Sequence, residues 1–455
     1  VSEFRNPDTP FLEIEINRHR RDPAGKMERE INNDEKLRKA LSYRWVIFWI
    51  LAFGYVLVYF HRLCPAVVAV DMMKDLNAGG ALIGFLSAAY FYPYALMQLP
   101  AGLLSDSWGP RKTITLFFII AFAGSLILGF APSVFFAIIG RTLVGIGIAM
   151  LFVATMKVLA EWFKKTEFAM MTGILMAMGG LGSLTATVPL ALLSGWIGWR
   201  FSFIIVGILT LVLAVLIWFF VYDKPEDRGW PSPAEHTGDG TQSIKLSEGV
   251  KKVISSPSFW PLAVWFFFDC AIFFSFGGLW GGPYLMQIYG MTKPEAGRIL
   301  SMLAIGMVIG SPLLSYMSNN LFRGRKPVII ISSAVVLLIT YFMAFHTEGI
   351  SVFGHYTLCL GLGIFSSAIV VIGFTAIKEL FPVQMAGTAI GLVNLFPFAG
   401  GAVFQPVLGY ILERQGRVEG AFTAAGYKNA FLVLFFCGII ALLSSFFIKE
   451  TMSKR

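Results

Sequence analysis

Charge is what this sequence has least of. Asp, Glu, Lys and Arg together make up 14% of its 455 residues, where a soluble chain needs roughly a quarter to cover its surface. Acids are scarcer than bases, 27 against 36. Cysteine is rarer still: Cys64, Cys270, Cys359 and Cys437 lie in or beside apolar stretches without metal-ligand spacing. They read as small packing residues, not as disulfides or a metal centre. A glycine-rich phosphate loop is missing, and so is any nucleophile-and-base constellation. These absences exclude ATP-driven pumping and enzymes built on those motifs, and no cofactor is expected. No apolar core follows a basic start, so a cleaved export signal is not expected either.

Apolar length is what the chain does have. Hydrophobic residues form 56% of it, with 43 Phe and 46 Gly, and the mean hydropathy is +0.71. Glycine in such quantity lets transmembrane helices pack closely. The composition is that of an all-α polytopic membrane protein. Twelve stretches reach the roughly 20 apolar residues that cross a bilayer. They are 44–72, 80–105, 112–131, 134–160, 168–194, 200–222, 258–287, 294–318, 327–346, 352–380, 385–413 and 427–448. A polar tail, 1–43, carries Pro7, Pro10 and Pro23, and its charged stretch Asp34 to Lys39 reads as a short surface helix. One long polar segment, 223–257, separates a six-helix half, 44–222, from another, 258–448, and 449–455 form a second tail.

The basic excess follows topology. About 26 of the 36 Lys and Arg fall in segments that alternate as one side of the membrane, about seven on the other, and three inside spans. By the positive-inside rule both termini are cytoplasmic, in what is expected to be a bacterial inner membrane. No nucleic-acid surface is implied. The halves also echo each other: Glu161-Trp162-Phe163 precedes Ala169 and Gly173 as Glu379-Leu380-Phe381 precedes Ala386 and Gly391, and Arg111-Lys112 recurs as Arg325-Lys326. A duplicated unit places its substrate site between the halves, near the bilayer midplane.

The segment Gly102-Leu-Leu-Ser-Asp106-Ser-Trp-Gly109-Pro-Arg111-Lys112 joins spans two and three. A turn that only sets topology needs the two cations; here an acid and two glycines stand in register with them. Gly102 would let neighbouring helices approach, Asp106 would face the positive N-terminus of another helix, and Arg111 and Lys112 would anchor the charged face. The segment resembles the signature loop of the major facilitator superfamily. Arg141-Thr-Leu-Val-Gly145-Ile-Gly147 and Gly198-Trp199-Arg200 are similar to further motifs of that family. The resemblance covers about residues 43–450 and departs in the second-half loop, where Asn320 stands in place of an acid. It implies the major facilitator fold, twelve transmembrane helices in two pseudo-symmetric six-helix bundles, and alternating access about a central site. Gly102, Asp106, Gly109, Arg111, Lys112 and Arg141 are then the conformational or gating residues.

Charges inside a membrane are costly and default to function. Arg62 lies roughly 27 Å into the first span at 1.5 Å per residue, and Tyr55, Tyr59 and Arg62 share one helix face. A guanidinium flanked by phenols suits a carboxylate or phosphate; snorkelling to headgroups is the competing reading. The pattern resembles two branches of the family, organophosphate antiporters and anion:cation symporters, which both place an arginine where Arg62 stands. The phosphate branch adds a lysine where this chain has Gln98, a histidine where it has Gly179, and an arginine in span seven, where residues 259–287 hold neither Arg nor Lys. The symporter branch has acids where this chain has His61 and Ile148. Tyr94, Gln98 and Asn394 join Tyr55, Tyr59 and Arg62 as candidate substrate-binding residues.

Proton coupling falls to His61, which can titrate or simply pack, and to Asp269 in span seven. Asp269 reads as a proton carrier, a gate that pairs with Arg62, or a structural acid. Arg141 keeps coupling and helix packing as open readings, and Lys157 is expected to snorkel. The expected protein is a secondary transporter of a small organic anion, a carboxylate first. It would work by alternating access with proton coupling; sodium or a counter-substrate are the other couplings. An organophosphate antiporter with a divergent site, or a transporter-like sensor, is the alternative. A monomer among membrane lipids is expected.

Overall fold

In hydrocarbon every backbone polar group must be satisfied within its own segment, so apolar runs of this length become helices. The computed structural model describes residues 23–233 and 246–452; Pro7, Pro10, the linker stretch 234–245 and the last three residues lie outside them. Among the described residues, twelve helical spans are long and apolar enough to cross a membrane. They are Asn33–Leu63, Gly80–Gln98, Pro110–Gly129, Val134–Trp162, Thr166–Thr185, Val188–Phe220, Phe259–Ile288, Lys293–Leu321, Lys326–Phe345, Val352–Leu380, Met385–Arg414 and Ala424–Phe447, numbered one to twelve below. Proline opens spans three and nine, where its missing N–H is one the first turn leaves unbonded anyway. Thr292 and Glu295 cap span eight reciprocally. Among the described residues, strand structure is limited to a hairpin between spans eleven and twelve, Arg417–Val418 antiparallel to Ala421–Phe422, with Arg417 opposite Phe422.

One local expectation changes. Asp34 to Lys39 is not a separate surface helix, because one helix runs unbroken from Pro23 to Leu63. No Gly or Pro interrupts residues 26–53, and Glu35 pairs with Lys39 one turn on. The turn between the fifth and sixth crossings is at Gly198, whose φ of 80° and ψ of 161° are not helical. Glu167 and Phe220 both lie beside the start of span one, at Arg44 and Tyr43, whereas Arg200 donates to the Ala131 carbonyl at the opposite end. The fifth crossing therefore runs on past Thr187, and the sixth begins at Trp199.

The sequence repeat has a physical counterpart. Asp223, after span six, accepts the Arg111 amide that opens span three, and Glu450, after span twelve, accepts the Arg325 and Lys326 amides that open span nine. Each half thus closes the start of its third helix with an acid that follows its sixth. Both lie on what we call the terminus side. Burial holds the Asp223 carboxyl above the usual carboxylate range, against the pull of the Arg111 amide. Glu450 sits below that range: partial burial raises it, but four backbone amides donating to the carboxylate outweigh that.

The halves meet along spans two and eleven, five and eight, and one and seven. On the far side they are tightly joined. Glu413 accepts the Gly80 amide at 2.7 Å across the interface, Lys293 pairs with Asp71, and Tyr92 donates to the Ala402 carbonyl at 2.9 Å. Backbones approach so closely there that a Cβ on Gly282 would fall inside the Ala66 carbonyl. On the terminus side the halves stand apart: a Cβ on Gly102, Gly173, Gly387 or Gly391 would meet nothing within 4 Å. The close approach expected at Gly102 is therefore not made in this conformation.

The first crossing and spans four, seven and ten are each interrupted partway. The first crossing continues past span one as the helix Pro65–Asp75 and is broken at Cys64, before Pro65; span four is broken at Met150. Span seven widens to a π-helical turn over Phe276–Trp280 and span ten over Ile369–Gly373. Irregular helix at membrane depth is tolerated where it lines a cavity or is buried in protein, and these four spans all border the same cavity.

Candidate functional site

A cavity of about 360 Å³ lies between the halves. Tyr55, Tyr59 and Arg62 of span one, Tyr94 of span two and Asn394 of span eleven all line it. Arg62 is its only cation among the described residues. The guanidinium sits in a sleeve of rings, 4.4 Å from the Tyr59 centroid, 4.8 Å from Tyr94 and 5.0 Å from Phe398. It donates one hydrogen bond, from Nη2 to the Tyr94 hydroxyl at 2.6 Å, and its Nε has no partner. No carboxylate pairs with it among the described residues. Snorkelling does not describe this arginine, which is 6% exposed and enclosed by aromatic faces from both halves.

Gln98 does not line the cavity but stands behind it, accepting from Asn394 Nδ2 at 3.3 Å. That bond runs from one half to the other. Asp269 is fully buried, lies outside the lining and makes no hydrogen bond in this conformation. It does not pair with Arg62. Its polar neighbour is Ser366 of span ten, and Ser366 does face the cavity. His61 points away from the cavity, its ring against Phe60 and both ring nitrogens unpartnered.

Arg141 has a structural explanation that spacing alone could not give. In an unbroken helix the His61 carbonyl would accept from residue 65, but Pro65 has no N–H. Both Nη atoms of Arg141 donate to that carbonyl at 3.1 Å, with Tyr90 stacked 5.1 Å from the guanidinium. Arg141 therefore closes the break in the first crossing, one residue from Arg62. Leaving that carbonyl with only the weak Cys64 thiol donor, at 3.6 Å, should cost about 1–3 kcal/mol. Arg141→Leu is expected to lower the melting temperature of the purified protein, and Pro65→Ala, which restores an N–H, to recover part of the loss in the double variant. Equal losses with and without Pro65→Ala would show that this carbonyl is not what Arg141 serves.

The signature loop also departs from expectation. Asp106 does not face a helix N-terminus; it pairs with Lys157 at 2.7 Å, within its own half. With the halves parted on this side, the Lys157 ammonium is the positive group within its reach. That ammonium reaches out to this exposed loop, where Asp106 and the Ser105 carbonyl hold it. Gly109 has φ 86°, and a Cβ there would collide with the Asp223 carboxylate, so both backbone and space require glycine. The Arg111 guanidinium lies over Trp218 and Tyr222, and Lys112 is exposed.

Several lining residues escaped the sequence reading. Cys270, read as packing, faces the cavity, as do Thr172, Met176, Phe152, Met307 and Phe398. Phe398 stands one turn from Asn394 and was within reach of a helix-face argument. The others are ordinary apolar or hydroxyl residues in apolar spans, and no pattern marks them.

The chain matches the family model described as Major Facilitator Superfamily over residues 51–404 and again over 270–454. It is similar to a probable sulfoacetate transporter of Cupriavidus necator, 23% identical, with 86% of this chain and 92% of that protein covered. It is similar also to a probable hexose phosphate transport protein of Chlamydia muridarum, 22% identical over 91% of this chain and 93% of that one. Among solved structures, a bacterial homologue of the human lysosomal transporter Spinster, in an inward-facing and unoccupied conformation, superposes with a TM-score of 0.73 at 18% identity, covering 89% of this chain and 96% of that one.

Proposed function

The chain belongs to the major facilitator superfamily, and from that premise we propose that it is a proton-coupled secondary transporter of a small organic anion, first of all a carboxylate. One observation carries this reading. Arg62 is a buried guanidinium without a carboxylate partner, and it faces a cavity between two halves that are joined on one side and parted on the other. An unpaired buried cation is expensive, and an anion that forks onto it supplies the missing charge-assisted bonds. With both termini cytoplasmic, as the basic excess argues, the cavity opens inward. Residues 44–222 and 258–448 then rock as two bodies joined by the linker 223–257.

Asp269 is the proton carrier in this reading. It lies one residue from Cys270 and beside Ser366, which both face the cavity, so a small rearrangement or a single water would connect it to cargo or solvent. Its two protonation states would then bind anion with different affinity, which is what coupling requires. In proteoliposomes, Asp269→Asn should keep counterflow exchange and lose accumulation driven by a pH gradient, while His61→Gln should keep both. If both variants still accumulate cargo when a proton gradient is applied, neither residue carries the proton, and sodium or a counter-substrate must drive uptake.

A further inference from the structure

We propose that the cargo is an amphipathic monoanion, with a single carboxylate on an aromatic or otherwise apolar body, and not a polyhydroxylated dianion or a sugar phosphate. The proposal rests on the anion-transport reading and narrows it. It comes from counting what the cavity offers. Among the described lining residues there is one cation, so a second carboxylate or the second charge of a phosphate would be buried without a counterion.

The polar capacity left for hydroxyls is small: it comes down to the unpartnered Ser366 hydroxyl and the Tyr59 hydroxyl, while the other polar lining groups are engaged. The Tyr94 hydroxyl is engaged by Arg62, Tyr55 donates to the Met176 sulfur at 3.6 Å, Thr172 donates to the Phe168 carbonyl at 2.9 Å, and the Asn394 amide nitrogen is turned to Gln98. A sugar acid carries four or more hydroxyls, and most would lose water without gaining a partner. The remaining surface is rings, sulfur and aliphatic side chains, with Phe152, Phe273, Phe274, Phe374, Met176 and Met307 contributed by both halves. Ring faces and thioethers attract aromatic edges and desolvate apolar groups. The Arg62 guanidinium rests on the Tyr59 and Phe398 rings, and its unpartnered Nε is available to a flat carboxylate.

The test is binding by the detergent-purified full chain, wild type and Arg62→Ala. The probes are benzoate, phenylacetate and hydrocinnamate against galactarate, glucose 6-phosphate and neutral benzyl alcohol. Thermal shift and competition titrations should give at least one ring acid an apparent affinity tenfold or more above both dianions and the alcohol, with the difference lost in Arg62→Ala. Met307→Gln, which adds hydrogen-bonding capacity to the apolar wall, should narrow that preference at least threefold. Tighter, Arg62-dependent binding of galactarate or glucose 6-phosphate would overturn this proposal and leave the anion anchor standing. Ring acids that bind Arg62→Ala as well as wild type would instead overturn the anchor. Failure of all three ring acids to bind at millimolar concentration would count against the proposal too.

Discussion

Arg62→Ala should eliminate measurable ligand binding and transport while the protein remains folded. Truncating one partner of a buried, hydrogen-bonded charge pair costs about 2–5 kcal/mol, which is roughly thirtyfold to several thousandfold in affinity. The upper part of that range applies here, because no other cation among the described residues lines the cavity to take over. Arg62→Lys should fail nearly as badly. An ammonium keeps the charge but cannot offer two parallel donors or lie flat between Tyr59, Tyr94 and Phe398. Folding should respond differently from binding, since removing a buried unpaired charge relieves desolvation. Isothermal titration of cognate anion, with a melting curve on the same sample, separates the two effects. A folded Arg62→Ala protein that binds with wild-type affinity would remove Arg62 from the substrate site.

The second large effect concerns how the two sides close. Gly282→Ala should drive the population away from the conformation described here. The added methyl collides with the Ala66 backbone, and backbone cannot yield as a side chain can. Overpacking of this kind costs about 1–3 kcal/mol, and the parted far side relieves it, so the ratio of the two conformations should change by about fivefold to 150-fold. Gly391→Leu should act in the opposite direction. It faces open space now, so it costs little in this state and obstructs only the state in which the terminus side closes. Pulsed-EPR distances between spin labels on the far-side ends of spans two and eleven report both variants. Longer distances are expected for Gly282→Ala and a narrowed, wild-type-like distribution for Gly391→Leu. Identical distributions in all three proteins would mean that these contacts do not set the equilibrium.

Membrane residence, twelve crossings, the two-half plan and the family were all readable in the chain, because each is written in long-range composition. Apolar runs need only be counted, and a signature loop needs only its residues in order. Arg62 was readable for a related reason: a guanidinium deep in an apolar span is expensive enough to stand out without any neighbour being known. Tyr55 and Tyr59 followed from helix periodicity, and Asn394 from its polarity within an apolar span. Partnerships were not readable. Asp106 meets Lys157 instead of a helix end, Arg141 serves a carbonyl orphaned by Pro65, and Asp269 lies behind Ser366 instead of opposite Arg62. Each depends on which way a side chain points once several helices have packed, and that direction is a property of the assembly.

Composition and periodicity thus decided the class of molecule and marked the one cation that lines the cavity among the described residues, since the bilayer imposes the same rules on every span wherever its neighbours lie. The tertiary structure alone decided the state and the character of the cavity. Whether Gly102 or Gly282 is in contact depends on how the halves are tilted, which no local stretch encodes. The apolar wall that narrows the cargo is assembled from spans one, two, four, five, seven, eight, ten and eleven. A phenylalanine facing lipid and one facing substrate are identical in sequence, and only the packing of the other helices tells them apart.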